Sequence, residues 1–329
     1  MDDSTINWGI MGTGWIAQQM LRDLPFAKDA RAVAVGSRTK ESAVRFAKEF
    51  SIDKAYGSYE ELVQDPLVDV IYVATPHPFH YENVMLSLQA GKSVLCEKPL
   101  MMNRAQTQKV IELAKEKHLF FMEAMWTRFL PAIQKVREWI AQGRIGDVRM
   151  VKADFGFQAP DDPTGRLLNK SLGGGALLDA GIYPVSFASM IYGQQPMKIM
   201  SCAHIGATGV DEQFSLVFSY PSGKSASLNG AVRVNLRSEA YIYGTKGYIH
   251  IPAPFLSTKE ASLYIDNIVA ETFADASPCM GYAYEVLEVG RCLREGVVES
   301  LLMPMQESLA IMETLDQIRD QWNLRYPFE

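Results

Sequence analysis

The chain has 329 residues, 48% of them hydrophobic and 21% charged, which excludes wholesale disorder, collagen-like repeats and a disulfide-dense miniprotein. Its 32 Lys and Arg residues against 38 Asp and Glu residues give a formal net charge of −6, so we expect no nucleic-acid partner. At roughly 150 residues per domain this length predicts two domains. We place them at 1–124 and 125–329.

The expected location is the cytoplasm. The four cysteines form no CxxC pair, and this pattern is typical of thiols that are kept reduced: Cys96, Cys202, Cys279 and Cys292. The first residues contain neither a basic segment nor an apolar segment of a secretory signal. No run approaches about 18 uninterrupted apolar residues, so we expect no membrane span.

The first 125 or so residues alternate short apolar runs with amphipathic helical patterns. The predicted strands are 6–11, 32–36, 68–74, 93–96 and 119–122. The predicted helices are 15–24, 43–50, 79–90 and 103–117, with a further helix opened by the capping box of Ser58 and Glu61. This alternation predicts a doubly wound parallel sheet of the Rossmann type, with helices on both faces.

The pattern changes after about residue 147. A strand is predicted over 148–157, and strict alternation over 211–235 around a turn at 221–223 predicts an antiparallel hairpin with one covered face. Two further short strands follow, and helices over 282–294 and 305–322 close the chain. The second domain is therefore expected to be α+β with a large, mainly antiparallel sheet, and the whole chain to be α/β.

A glycine-rich loop, Gly9-Ile-Met-Gly12-Thr-Gly14-Trp-Ile-Ala17, joins the first predicted strand to the first predicted helix. Glycines at this spacing let the backbone turn tightly and approach a pyrophosphate at the helix N-terminus. The alternative is a merely tight strand–helix turn. We expect a dinucleotide to contact the following residues: Gly12, Thr13, Gly14, Trp15 and Ile16.

Ser37 and Arg38 end the second predicted strand. A cofactor with a free ribose 2′-hydroxyl usually meets an Asp or Glu about 20 residues after the fingerprint, whereas a guanidinium suits a 2′-phosphate. We therefore expect NADP in preference to NAD. The alternative is that Arg38 is a solvated surface charge or stacks on adenine.

Two loops follow the next strands, at the sheet edge where ligands bind in such folds. The first contributes Thr75, Pro76, His77 and His80 to the lining of the cofactor cleft; with no third ligand evident, we expect no metal. The second is Cys96-Glu97-Lys98-Pro99, in which Glu97 and Lys98 would border the cofactor. A desolvated lysine here can donate to a substrate oxygen, and the sequence leaves open whether the Lys98–Pro99 bond is cis.

The stretch Gly173-Gly174-Gly175-Ala-Leu-Leu-Asp179-Ala-Gly-Ile-Tyr183 suggests close backbone approach to another group. Asp179 and Tyr183 lie four positions apart and share a face if the segment is helical, although Pro184 weakens or kinks such a helix. The alternative is a tight packed turn followed by a core tyrosine.

Together these motifs resemble the Gfo/Idh/MocA family of NAD(P)-dependent oxidoreductases over essentially the whole chain. The resemblance implies that Lys98 is catalytic and that the nicotinamide lies beside it. Many members have a histidine where this chain has Tyr183, paired with the aspartate at Asp179. The tyrosine and the stretch 123–129 are similar to the branch that contains dimeric dihydrodiol dehydrogenase and glucose-fructose oxidoreductase.

The same resemblance implies further contacts. Trp126 and Arg128 are expected at the cofactor, and the substrate pocket is expected to include Trp126, Arg149, Phe155 and Tyr183. Because dimers are common in the family, we expect a homodimer through the carboxy-terminal sheet.

The predicted reaction is hydride transfer between nicotinamide and a carbonyl or hydroxyl carbon of a small molecule: a sugar, a dicarbonyl or an aromatic diol. Tyr183 would exchange the proton, Lys98 would stabilise the developing negative charge, and Asp179 would orient Lys98 or a substrate hydroxyl. Two alternatives stay open: a sugar transhydrogenase that retains its cofactor, and a non-catalytic NADP-binding regulator.

Overall fold

The computed structural model describes residues 5–329, which divide into two units. Six parallel strands form the sheet of the first unit. This unit contains the chain up to Trp126 together with Cys279–Leu309, and the second contains Thr127–Pro278 and Ala310–Glu329. The strands are β1 (Ile6–Met11), β2 (Ala30–Gly36), β3 (Lys54–Tyr56), β4 (Val70–Val73), β5 (Ser93–Glu97) and β6 (Phe121–Ala124).

The strand order is β3-β2-β1-β4-β5-β6, and every neighbouring pair is parallel. The connecting helices are α1 (Trp15–Asp23), α2 (Lys40–Phe50), α3 (Tyr59–Val63), α4 (His80–Gln89) and α5 (Arg104–Glu116). This is the doubly wound order of a dinucleotide-binding fold, with its crevice between β1 and β4. The predicted Rossmann sheet is confirmed.

The last strand begins later than the predicted 119–122. After α5 ends at Glu116, one more turn follows, in which Leu119 N donates to Ala114 O at 3.0 Å. The ladder starts only at Phe121, which pairs with Val94. The amide of Leu119 thus belongs to the turn that ends α5, and the strand follows it.

A late segment of the chain belongs to the first unit, whereas the predicted boundary assigned all of 125–329 to the second. Its helix α8 (Tyr282–Glu295) packs against α1 and β2. Arg294 forms an ion pair with Asp29, and Phe121 N donates to Val298 O at 3.0 Å. These contacts join residues far apart in sequence, so local periodicity carries no sign of them.

The second unit contains an eight-stranded sheet of order β14-β13-β12-β11-β7-β10-β9-β8. Only β7 and β10 pair in parallel among its described strands, which confirms the predicted, mainly antiparallel sheet. The strands are β7 (Val148–Gly156), β8 (Lys198–Ile205), β9 (Asp211–Ser219), β10 (Ser225–Ala231), β11 (Ala240–Gly244), β12 (Gly247–Ile251), β13 (Glu260–Ile265) and β14 (Ile268–Ala274).

Helix α7 (Ile182–Tyr192) covers one face of this sheet at β7 and β10, and α6 (Pro131–Ala141) packs against β13 and β14. The hairpin face predicted to be covered is buried, as shown by Phe214, Leu216 and Phe218. Val234, predicted to continue the return strand, is 47% exposed because β10 ends at Ala231. The last helix, α9 (Met305–Gln321), contains the division between the two units at residue 309.

One helical stretch of the described chain, Lys170–Tyr192, is long and apolar enough to cross a membrane by length and composition. In the fold, 89% of its apolar window is buried. Such burial is typical of a core helix, and α7 indeed packs on the sheet of the second unit.

Candidate functional site

The glycine loop after β1 has the geometry of a phosphate-binding turn. Gly12 has φ +107°, and a Cβ there would lie 2.9 Å from the carbonyl oxygen of Ala74, so only glycine fits. Gly14 is the N-cap of α1; a Cβ on it would meet no atom within 4 Å, and no described side chain caps this helix end. Open space therefore lies before backbone amides that favour an anion.

The other loop residues predicted to contact the cofactor surround this space. Trp15 is 69% exposed, and Thr13 and Ile16 are half-buried. Thr13 Oγ1 lies 3.4 Å from Ser37 Oγ, which joins the glycine loop to the end of β2. These residues fit a dinucleotide whose pyrophosphate sits at α1 and whose ribose sits near β2.

Arg38 follows Ser37 and is exposed. Burial raises the pKa of the Tyr59 hydroxyl, and the nearby charge of Arg38 partly offsets this rise. The guanidinium therefore lies within electrostatic reach of Tyr59, the first residue of α3. A 2′-phosphate placed beside Ser37 could be bound by this cation.

The loop after β4 is fixed by hydrogen bonds to its own unit. Asn83 Nδ2 donates to Thr75 Oγ1 at 2.9 Å. His80 is fully buried, with Nε2 2.7 Å from Thr75 O and Nδ1 3.0 Å from Pro99 O. His80 thus ties this loop to the turn after β5, whereas we predicted it to contact the cofactor.

The two neighbouring loop positions differ from each other in exposure. Pro76 is exposed, and His77 is buried with its ring 5.7 Å from that of His80. Burial lowers the pKa of His80, and the hydrogen bonds to the carbonyls of Thr75, Pro99 and Leu100 partly offset this. In residues 5–329 no group of three or more His, Cys, Asp or Glu side chains is arranged to hold a metal ion.

The turn that carries Lys98 is held through the carboxylate of the preceding residue. Tyr72 OH donates to Glu97 Oε1 at 2.5 Å, and Lys98 N donates to Glu97 Oε2 at 3.2 Å. Glu97 is 6% exposed, and the Lys98–Pro99 peptide bond is cis. Glu97, predicted to touch the cofactor, therefore shapes the backbone that presents Lys98.

A second buried carboxylate supports the same turn. Leu100 N donates to Glu123 Oε1 at 3.0 Å, and Ser308 Oγ donates to Glu123 Oε2 at 2.8 Å. Lys98 itself is half-buried at the carboxyl end of β5. Its backbone is thereby fixed at the sheet edge where the cofactor is expected.

The residues of the second unit come together at the start of α7. A π-helical turn, Leu177–Gly181, precedes the helix and contains Asp179. Asp179 Oδ1 accepts from Arg166 Nη1 at 2.7 Å. Tyr183 lies in the first turn of α7, and the ring edge of Phe155 meets its ring at 5.6 Å between centroids. The helix continues past Pro184, which lies three residues after the π-helical turn.

Two other predicted substrate or cofactor residues lie in different surroundings. The Trp126 ring stacks on Tyr282 at 4.5 Å between centroids, within the first unit. Arg128 is 3% exposed, and its guanidinium donates to the hydroxyl and the carbonyl of Ser186 on α7. Arg128 therefore anchors the helix that carries Tyr183.

Arg149 is separated from Phe155 and Tyr183. It lies six residues before Phe155 on β7, about 20 Å away at the usual rise per strand residue. Its guanidinium donates to Ser222 O at 3.3 Å, beside the turn that follows β9. The structure thus brings Phe155 and Tyr183 together and leaves Arg149 at the other end of the strand.

Sequence reasoning missed Arg166, Tyr282 and Asn83. Arg166 precedes the glycine stretch in a loop without periodic pattern, and Tyr282 is nearly 160 positions from the tryptophan on which it stacks. Asn83 had a usable signal, since it is a buried polar residue one turn into a helix that follows the Thr75-Pro76 loop. Buried polar groups of this kind normally have a specific partner.

Comparison with known proteins gives matches to both units. A family model described as "Oxidoreductase family, NAD-binding Rossmann fold" matches residues 6–125, and the GFO/IDH/MocA C-terminal domain matches 133–250. A trans-1,2-dihydrobenzene-1,2-diol dehydrogenase of Mus musculus is 40% identical over 333 residues, covering 98% of each chain.

Two solved structures share the fold. An aldose-aldose oxidoreductase from Caulobacter crescentus has a TM-score of 0.88 at 23% identity, covering 96% of this chain and 97% of that one. A 3-ketoreductase from Actinomadura kijaniata, in complex with NADP and TDP-benzene, has a TM-score of 0.83 at 24% identity, with coverages of 96% and 97%. These findings confirm the resemblance inferred from the motifs.

Proposed function

The chain belongs to the Gfo/Idh/MocA family of NAD(P)-dependent oxidoreductases, and from this premise we propose that it oxidises a trans-dihydrodiol-like substrate with NADP and reduces related carbonyl compounds in reverse. The observation that supports this proposal is the 40% identity, over 98% of the chain, to a trans-1,2-dihydrobenzene-1,2-diol dehydrogenase. The edge-on contact of Phe155 with Tyr183 in the second unit supports an unsaturated ring as the substrate skeleton.

The preference for NADP rests on the end of β2. Ser37 lies against the glycine loop, and the exposed Arg38 supplies a cation where other dinucleotide sites have an acid. The amides at the start of α1 would hold the pyrophosphate. The bound cofactor supplies a nicotinamide carbon that accepts or donates the hydride.

We assign the proton transfer to Tyr183. As the substrate hydroxyl is oxidised, its proton would pass to the phenolate form of Tyr183, and in reduction the Tyr183 hydroxyl would return a proton to the substrate oxygen. The ammonium of Lys98 stabilises negative charge on the oxygen that loses the proton. Arg166 Nη1 donates to Asp179 Oδ1 at 2.7 Å and so holds the carboxylate to which we assign the orientation of a substrate hydroxyl.

The test is a steady-state assay with trans-1,2-dihydrobenzene-1,2-diol and NADP, following nicotinamide absorbance. We expect Lys98→Met and Tyr183→Phe each to lose about 100-fold or more in turnover while binding NADPH normally. Tyr192→Phe is a matched control, because this tyrosine on the same helix donates to Ser225 O at 2.6 Å. Near wild-type turnover in both site variants contradicts the assignment, and no diol oxidation contradicts the substrate class.

A homodimer in the cytoplasm is part of the proposal. The uncovered face of the eight-stranded sheet carries an aromatic cluster: Tyr241, Tyr243, Tyr248, His250 and Tyr264. A second copy of this face could pack on it across a two-fold axis. The absence of a disulfide in residues 5–329 suits a reducing compartment. Light scattering should give twice the chain mass; a concentration-independent monomer contradicts the dimer, and membrane or secreted fractions contradict the location.

A further inference from the structure

The glycine stretch before Tyr183 is enclosed by the protein itself. A Cβ on Gly174 would lie 2.7 Å from the carbonyl oxygens of Arg166 and Leu167. Gly175 has φ +125°, and a Cβ there would collide with Asp211 Oδ1 and lie 3.2 Å from Tyr326 OH. The close approach expected from the sequence is therefore to the preceding loop at Gly174, and to Asp211 and Tyr326 at Gly175.

Asp211 caps the helical segment that follows. Its Oδ2 accepts from Leu177 N, the first residue of the π-helical turn, at 2.6 Å. Its Oδ1 has no hydrogen-bond partner in the described chain, although the side chain is fully buried. Asp179 lies two residues after the capped amide, and Tyr183 lies six residues after it. A shift of this cap would move both side chains.

The carboxy-terminal segment closes the other side of the loop. Tyr326 OH donates to Gly174 O at 2.7 Å. Tyr326 N donates to Glu329 Oε2 at 2.9 Å, and Arg319 Nη1 donates to the same oxygen at 2.9 Å. The tyrosine is thus fixed at both ends, and the loop lies between it and Asp211.

We propose that Asp211 is a positioning residue for Asp179 and Tyr183, acting through the amide of Leu177, and that Tyr326 supports it by holding Gly174. The inference rests on the proposed function for its kinetic consequence. Its structural consequence, an ordered turn over residues 175–183, is independent of that function.

The electrostatic surroundings add a pH dependence to this cap. Burial raises the pKa of Asp211 to about 7, and the Leu177 amide, the Ala176 backbone and the Arg319 charge only partly offset it. The facing groups are Arg319 of α9 and the Tyr326 hydroxyl, with Glu329 bound to Arg319. Because the closed turn holds the proton more tightly than an opened, solvated one, opening becomes easier as pH rises from about 4 to about 7.

The first test compares Asp211→Ala with the conservative Asp211→Asn, which keeps an acceptor for the Leu177 amide. We expect Asp211→Ala to lose about tenfold or more in kcat per NADPH-binding site, and Asp211→Asn to recover most of it. NADPH affinity should stay unchanged in both. Asp161→Ala is the control, since this acid of the same unit is 81% exposed. Equal kcat in all variants overturns the inference.

The second test is amide hydrogen exchange of the full chain without cofactor or substrate. In the wild type, the opening free energy of residues 175–183 should fall between pH 4 and 7, and Asp211→Asn should abolish this dependence. Tyr326→Phe should raise exchange in the same residues. A pH-independent wild type with unaltered exchange in Asp211→Asn overturns the inference. If exchange over residues 175–183 depends on Asp211 but the protein does not oxidise the diol, the proposed function is wrong and the inference about Asp211 stands.

Discussion

Asp23, the last residue of α1, accepts a hydrogen bond from the backbone amide of Gly281 at 2.8 Å, 258 positions further along the chain. Its carboxylate also accepts from the amides of Met280 and Ala283 at 2.7 and 3.0 Å. One buried side chain therefore caps the start of α8 and attaches the late segment to the first unit.

Removing this carboxylate should destabilise the first unit. We expect Asp23→Ala to lower the free energy of unfolding by about 2–3 kcal/mol, since it leaves three amides of a helix start without their acceptor. Asp53→Ala is the comparison: this acid pairs with Arg31 at 2.6 Å, but both side chains are about 60% exposed, so the loss should stay below about 1 kcal/mol. Urea unfolding followed by circular dichroism measures both, and equal losses would contradict the capping role.

Glu285 should make the protein less stable at alkaline pH. It is fully buried, neither oxygen has a hydrogen-bond partner in residues 5–329, and burial together with the charges of Glu97 and Asp23 raises its pKa well above 4.5. The native state therefore binds this proton more tightly than the unfolded chain does, and the free energy of unfolding falls as pH rises above about 4.5. Glu285→Gln should flatten this fall and raise the melting temperature at pH 9.

Glu288 provides a control of opposite sign on the same helix. Burial acts to raise its pKa, but hydrogen bonds from Arg291 and Ser300 outweigh burial and lower it. Its carboxylate therefore stabilises the native state above the usual Glu range, and Glu288→Gln should lower the melting temperature at pH 7 and pH 9 alike. The measurement is the melting temperature of Glu285→Gln and Glu288→Gln as a function of pH. A lower melting temperature of Glu285→Gln than of wild type at pH 9 would contradict the predicted effect of Glu285.

These carboxylates show where sequence reasoning ends. The glycine loop, Lys98 and the pattern of the two sheets were predictable because each depends on residues close together in the chain. Asp23, Asp211 and Glu285 have no such local signature: two of them bind amides that are distant in sequence, and the third faces other buried acids. A carboxylate in an amphipathic helix or at a strand start is more often a surface charge.

The predicted site residues also divide into those determined by a local motif and those whose surroundings depend on distant partners. Gly12 and Gly14 have the geometry that their motif requires, whereas His80 and Arg128 are buried anchors and Arg149 lies at the far end of β7. A motif specifies which residue types occur together, but whether a side chain faces the cleft or its own scaffold depends on the partners that surround it. His80 illustrates this, because both of its ring nitrogens face backbone carbonyls.

Cofactor choice should depend on Arg38. We expect Arg38→Ala to weaken NADPH binding about tenfold or more and to leave NADH binding unchanged, because only NADPH carries the phosphate that the guanidinium would bind. Arg45→Ala removes an exposed charge from the neighbouring α2 and should change neither affinity. Titration of nicotinamide fluorescence measures the dissociation constants of NADPH and NADH for both variants. Parallel weakening of NADPH and NADH would instead indicate that Arg38 stacks on the adenine.

The two glycines of the loop should respond differently to alanine. Gly12→Ala combines φ +107° with a Cβ 2.9 Å from a backbone carbonyl oxygen that cannot move away, so it should destabilise the fold by about 2 kcal/mol or more. Gly14→Ala meets no atom of the described chain within 4 Å and has φ −77°, so the melting temperature should stay within about 2 °C of wild type. Its methyl group nevertheless enters the space before α1, and NADPH affinity should fall about tenfold or more. If Gly14→Ala binds NADPH normally, the open space at this helix end is not the phosphate site, and the loop is only a tight turn between β1 and α1.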